Sequence, residues 1–327
     1  MIVILLFVVI ACMRVVQSVC GKRASNQVRN NKTFFLYGIY YETLAAIFSL
    51  ITLCIMGFDN FTISTMICGF ITAVFLMVQF YASLNAIKGC KLIVSQMMNN
   101  GGMLICCLLS WVWFGEKMSV LQGVGLLIFF IAAYLLSAAK KERDGNKPQK
   151  ISKVTWILLL TMMLAEGGVE VSQKYFSLKV GSGNAAWFSF FMFLSSALIM
   201  TTGLLVMQVK ENRLTRLPLQ EEQIPTVEEE TPKTKIRLNK TLMICGALLA
   251  FAVFVINLLV TQLGKEVNSV ILFPVSASIS VCITVIVGWV VYKEKLTMKN
   301  LIGVALGLMS IIILATFTPE TVSKLFG

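Results

Sequence analysis

The feature that most constrains this chain is the recurrence of apolar runs about 20 residues long, the length that spans a bilayer as a helix. Ten such runs occupy residues 2–19, 34–56, 64–86, 92–114, 118–139, 154–176, 184–208, 241–263, 268–292 and 297–317. At about 1.5 Å of rise per residue, a run of this length crosses a hydrocarbon layer roughly 30 Å thick. Backbone polar groups find no water there, so each run is expected to be a helix that satisfies its own hydrogen bonds. Charged residues make up only 13% of the chain, against about 25% in an average soluble domain. That excludes a soluble enzyme with one core. The expected fold class is an all-α membrane protein with ten transmembrane helices. The first run lacks a basic leader and an A-x-A-like cleavage site, so it reads as a retained helix rather than a signal peptide.

The net charge is +12. In a soluble protein this would suggest nucleic acid. Here the basic residues lie in short loops between apolar runs, where they report topology, and no nucleic-acid partner is expected. The loops 1–2, 3–4, 5–6, 7–8 and 9–10 hold 22 Lys and Arg, whereas the opposite side holds five: Lys117, Lys174, Lys179, Lys265 and Lys324. The richly basic side is therefore expected to be cytoplasmic, with both termini outside and the plasma membrane as the location. The nine cysteines are scattered, mostly inside apolar runs, and form neither a disulfide framework nor a CxxC site. The chain has no histidine, which removes His metal ligands, His proton relays and His-activated nucleophiles. There is no Walker A motif and no cluster of metal ligands. No enzyme activity, cofactor or metal is expected.

The chain divides near its middle at the basic segment 140–153, giving five runs before it (1–139) and five after it (154–317), with a short tail at 318–327. The segment 208–240 is polar, contains three prolines and the acidic run Glu228–Glu229–Glu230, and is expected to be mobile. Two segments repeat at a constant offset. WVWFGEKMSVLQGVG from Trp111 aligns with WVVYKEKLTMKNLIG from Trp289, matching Trp111 with Trp289, Glu116 with Glu294, Lys117 with Lys295 and Gly125 with Gly303. The same offset sets Gln79 over Asn257, both polar in the middle of a run. A repeat of five helices is odd in number, so the second copy starts on the opposite face and the copies are inverted. The Glu-Lys pairs themselves read as turn and interface markers.

On these paired W-x-x-[FY]-x-E-K endings, on YASLNAIKGCKLIVSQMMNNGG before the first and on VNSVILFPVSASIS before the second, the whole chain resembles the drug/metabolite transporter superfamily. The similarity is to its ten-helix, EamA-like members. The resemblance implies ten helices, two inverted five-helix repeats and a central cavity lined largely by helices 1, 3, 4, 6, 8 and 9. Familiar members keep both termini in the cytoplasm, the reverse of what the loop charges indicate here.

Ionisable groups inside a span are costly and tend to face a cavity or a partner. Arg14 in the first run and Glu42 in the second lie at similar depths, so an ion pair between them is one expectation, and Arg14 reaching the headgroups is another. Glu166 and Glu170 are spaced i, i+4 in the sixth run and share one helix face. Two carboxylates close together in low dielectric cannot both ionise cheaply, which suits proton coupling or cation binding. Overlaying the first and sixth runs sets Arg14 on Glu166 and Lys22 on Lys174, so that opposite charges could face each other across a cavity. The fourth run carries Gln96, Asn99 and Asn100 just before Gly101 and Gly102, and the ninth carries Pro274, Ser276, Ser278 and Ser280. Paired interruptions of this kind point to a transporter site. The expected substrate-binding residues are therefore Arg14, Gln79, Gln96, Asn99, Asn100, Asn257 and Ser276, with Glu166 and Glu170 as coupling residues.

Together these features lead to a secondary transporter of a small organic metabolite or drug, proton-coupled or not, working by alternating access in the lipid bilayer. A nucleotide-sugar-type exchanger is the alternative within transport and would need a cationic clamp such as Arg14 or Lys174. A non-transporting scaffold or lipid-handling subunit is the alternative outside it. A homodimer is left open.

Overall fold

The computed structural model describes residues 2–28, 30–90, 92–138, 152–180, 184–214, 238–290, 298–317 and 319. Among them are eleven α-helices: α1 (Ile2–Gln27), α2 (Asn31–Met56), α3 (Ile63–Gly89), α4 (Leu92–Asn100), α5 (Met103–Trp113), α6 (Val120–Ala138), α7 (Lys153–Lys179), α8 (Ala185–Leu214), α9 (Lys240–Leu263), α10 (Ser269–Val290) and α11 (Met298–Thr316). Seven of these, α1, α2, α3, α7, α8, α9 and α10, are each long and apolar enough to cross a membrane. The chain is an all-α, multi-pass integral membrane protein. The helices α6 and α11 carry shorter apolar stretches, Val120–Ala132 and Leu301–Leu314.

Several helices outrun the apolar runs that announce them. The first continues to Gln27, the second begins at Asn31, and the seventh run, expected to end at 208, continues as helix to Leu214. The first seven residues of the expected polar segment, 208–214, are thus helical. The reason is physical: hydropathy marks only the hydrocarbon-facing part, while polar turns extend the same helix into the headgroup layer. The segments 139–151, 215–237 and 291–297, with Glu294 and Lys295, lie outside the described residues.

The fourth run is two helices rather than one. Asn100 ends α4, Gly101 and Gly102 form a turn, and Met103 begins α5. Gly102 presses on α7, where a Cβ would lie 2.6 Å from the Gly167 nitrogen and 2.8 Å from the Met163 carbonyl. Gly167 is equally tight, its missing Cβ falling 2.9 Å from the Gly102 carbonyl. Backbone meets backbone here, the usual role of small residues between membrane helices. The expected interruption of the ninth run does not occur, because α10 runs unbroken through Pro274.

The most extensive helix contacts run between the two halves of the chain. Helix α3 lies on α7 and α1 lies on α9, α3 lies on α8 and α2 lies on α9, while α2 pairs with α8 and α6 with α11. A large apolar core joins α2, α3, α8 and α9, with Phe80 stacked on Phe34 at 5.3 Å and lying 4.7 Å from Tyr41. Outside, Ile55, Val120, Tyr134 and Leu127 are exposed, whereas Arg14, Glu42, Gln79, Glu166 and Glu170 are buried. Apolar side chains outward and charged groups inward suit a lipid surround.

The glycine contact gives a prediction. Gly102→Ala or Gly167→Ala should lower stability by about 1–3 kcal/mol through overpacking. Gly123→Ala, in α6 with nothing within 4 Å of the added carbon, should be neutral or stabilising by up to about 1 kcal/mol. Thermal unfolding of the three variants in detergent checks the ordering.

Candidate functional site

A buried ion triad bridges α1 and α7. Arg14 is 4% exposed, and its two terminal nitrogens reach Glu166 Oε1 at 3.2 Å and Glu170 Oε1 at 3.1 Å. The i, i+4 spacing on α7 makes this two-pronged grip possible, since both carboxylates project from one face. The expected opposition of Arg14 and Glu166 is therefore a direct contact. The expected pairing of Arg14 with Glu42 is not made: Glu42 is buried on α2 and accepts the hydroxyl of Tyr41. Depth along the membrane is legible from sequence, but the direction a side chain points around its helix is set by packing.

The short α4 supplies the amides around this triad. Asn100 Oδ1 lies 3.5 Å from Arg14 Nη1, and the Asn100 amide donates to the Ala277 carbonyl of α10 at 3.4 Å. Asn99 accepts the Gln79 amide at 2.8 Å and its side chain lies beside Glu166. Gln96 accepts the Ser18 hydroxyl and donates to Ser280 Oγ at 3.1 Å. Asn257 on α9 accepts the Gln173 amide and donates to its own helix at the Val253 carbonyl, 2.7 Å away. Ser276 stands apart, donating to the Phe273 carbonyl one turn back on α10. Eight of the nine expected site residues thus fall in one buried polar region between α1, α3, α4, α7, α9 and α10, and Ser276 spends its hydroxyl locally.

Residues not expected from sequence complete the region. Three cavities of about 20, 30 and 40 Å³ converge on Gln17, each with room for about one water. Gln17 and Ser18 follow Arg14 by three and four residues, and Gln173 follows Glu170 by three. That shared helix face was the available signal. Within the triad, Arg14 Nε and Glu170 Oε2 have no partner. One guanidinium faces two carboxylates, so the cluster carries one negative charge in excess if both are ionised.

Two lysines flank the region at equivalent places. Lys22 Nζ donates to the carbonyls of Ile87 at 2.7 Å and Cys90 at 3.2 Å. Lys174 Nζ donates to those of Gly264 at 2.9 Å and Val267 at 3.1 Å. Each caps the end of a helix, α3 or α9, and the turn after it, where orphan carbonyls favour a cation. Lys174 is also paired with Glu116 at 2.6 Å, and the second Glu116 oxygen accepts the Ser269 N–H at 2.9 Å. A left-handed Gly115, φ 68°, ends the turn after α5 and aims Glu116 inward. Glu116, expected to be a turn and interface marker, sits in the α5–α6 turn and ties it to α7 and α10.

No protein-family model and no curated protein sequence matches this chain. A solved structure described only as "Crystal structure of protein" is similar to it, with a TM-score of 0.64 at 11% identity over 98% of each chain. At that identity the likeness speaks for the fold alone.

Removing one member of a buried ion cluster strands the others. Arg14→Met should cost about 3–5 kcal/mol, because two carboxylates then lose their cation. Adding Glu166→Gln and Glu170→Gln to it should recover most of that loss. Thermal unfolding in detergent distinguishes the two variants, and equal melting points would argue against charge pairing as the stabilising element.

Proposed function

We propose that this protein is a secondary transporter of a small organic solute, built of ten membrane-spanning segments in two inverted repeats and working by alternating access. The observation that carries this reading is the buried Arg14–Glu166–Glu170 triad, which joins the first half to the second at the centre of the bundle. A charged cluster inside a membrane protein marks a substrate or proton pathway by default.

Other observations support the inverted repeat. Exchanging α1, α2, α3, α4–α5 and α6 with α7, α8, α9, α10 and α11 maps the most extensive helix contacts onto one another: α3 on α7 becomes α9 on α1, and α3 on α8 becomes α9 on α2. Lys22 and Lys174 are 152 positions apart, and the carbonyl pairs they cap are both 177 apart. Two copies of one device, at equivalent places in the two halves but facing opposite sides of the membrane, are what inversion generates. Membership of the drug/metabolite transporter superfamily, EamA-like branch, is part of the same proposal.

The central cavities are of water size and too small for a metabolite, so a solute reaches the triad only when the halves rearrange. Coupling follows from the charge surplus. A proton on Glu166 or Glu170 balances Arg14 one to one and loosens its grip, leaving the guanidinium able to turn to another acceptor. A non-transporting scaffold would use the same triad for stability alone. The richly basic side is taken as cytoplasmic on the loop charges.

The test is proton flux into proteoliposomes holding a trapped pH-sensitive dye, on addition of amino acids, nucleotide sugars or lipophilic cations. One class should drive flux in the wild type, and Glu170→Gln should abolish it while remaining folded. A well-folded wild type giving neither flux nor uptake of radiolabelled solute from any class would favour the scaffold.

A further inference from the structure

The sparsely basic face concentrates its charge in one place. A cavity of about 450 Å³ is lined there by Glu116, Lys117, Lys174, Lys265, Val267 and Asn268, among others. Only five basic residues are assigned to that face, and three of them meet in this cavity. Among the described residues that line it, there are three lysines and one carboxylate. Lys117 and Lys265 are exposed at the rim, while Lys174 is buried and paired with Glu116. A concave site of one sign raises the local concentration of the opposite ion.

The bonds of Lys174 are unequal in kind. Two go to backbone carbonyls, Gly264 and Val267, fixed at the end of α9 and the turn beyond. The third goes to a side-chain carboxylate, Glu116, carried on the turn between α5 and α6. That third position is the one another oxyanion can take. When Glu116 leaves it, the Ser269 N–H also loses its acceptor, and the α5–α6 turn is no longer tied to the start of α10. Deeper in the bundle, Glu170 precedes Lys174 by one helical turn, about 6 Å along the axis. The next cation an incoming anion would meet is therefore Arg14.

We propose that this cavity is the entry site for small organic anions bearing a carboxylate or phosphate, and that the anion replaces Glu116 on Lys174. This names the substrate class of the transporter reading and rests on it. The ligand keeps Lys174 paired throughout, so no buried ammonium is stranded while the turn is released.

The experiment is a thermal-shift titration of the full-length protein in detergent, at fixed ionic strength. The probes are succinate, inorganic phosphate, tetraethylammonium and dihexanoyl phosphatidylglycerol. Succinate, phosphate or both should raise the melting temperature saturably in the wild type. Lys117→Gln with Lys265→Gln, both exposed, should weaken that binding at least about fivefold, and Glu116→Gln should tighten it by removing the competitor. Stabilisation by tetraethylammonium alone, by the lipid alone or by no probe would overturn the proposal. So would an anion response unchanged in the double variant, which would place the binding elsewhere. Anion binding with the expected variant pattern, but without uptake of labelled succinate or phosphate into proteoliposomes, would uphold the site while removing the transporter reading.

Discussion

A guanidinium in the middle of a membrane bundle stays there only if counter-charges and hydrogen-bond acceptors meet it. Arg14 satisfies that condition by reaching from α1 to two carboxylates on α7, and much of the surrounding arrangement follows. Helix α7 must present the face that carries Glu166 and Glu170, so Gln173 and Lys174 come to the interior with them. Helix α4 must end beside the triad for Asn99 and Asn100 to serve it. The glycine pair at 101 and 102 lets α4 stop there, with its backbone against Gly167 one residue after Glu166.

The same logic distributes charge along the α7 face. Each carboxylate or ammonium on it is answered from another helix or turn: Glu166 and Glu170 by Arg14, Lys174 by Glu116 and by the end of α9. The partners come from the other half of the chain in three of these four contacts. The two halves are thus held together by ionic contacts in a low-dielectric interior, where such contacts are strong when complete and costly when broken.

Much of this was legible in the amino-acid sequence, for identifiable reasons. Apolar runs report helices because lipid leaves the backbone no alternative. Arg14, Glu166 and Glu170 stand out because charge inside a span is rare. The offset between the first and sixth runs brought Arg14 and Glu166 together, where depth alone suggested Glu42. Gln17 and Gln173 escaped notice because an uncharged amide in an apolar run carries little signal, although both lie one turn from a charged residue on the same face. The role of Glu116 was hidden for a different reason: its partner, Lys174, is 58 positions away and reaches it only through the fold. The break in α4 was announced by its glycines, whereas Pro274 was accommodated without one.

The contact between Gly102 and Gly167 has a mechanical consequence. Most helix pairs interlock through ridges and grooves, and sliding one along the other means lifting side chains out of their holes. Two glycine backbones facing each other offer no such teeth. The junction of α4 and α5 meets α7 there with no side chain between, immediately beside the carboxylates that hold Arg14, while Ile105 and Met163 pack on either side. A bare backbone contact thus borders the ionic cluster that joins the halves, and the cluster serves as a detent that fixes where the helices come to rest.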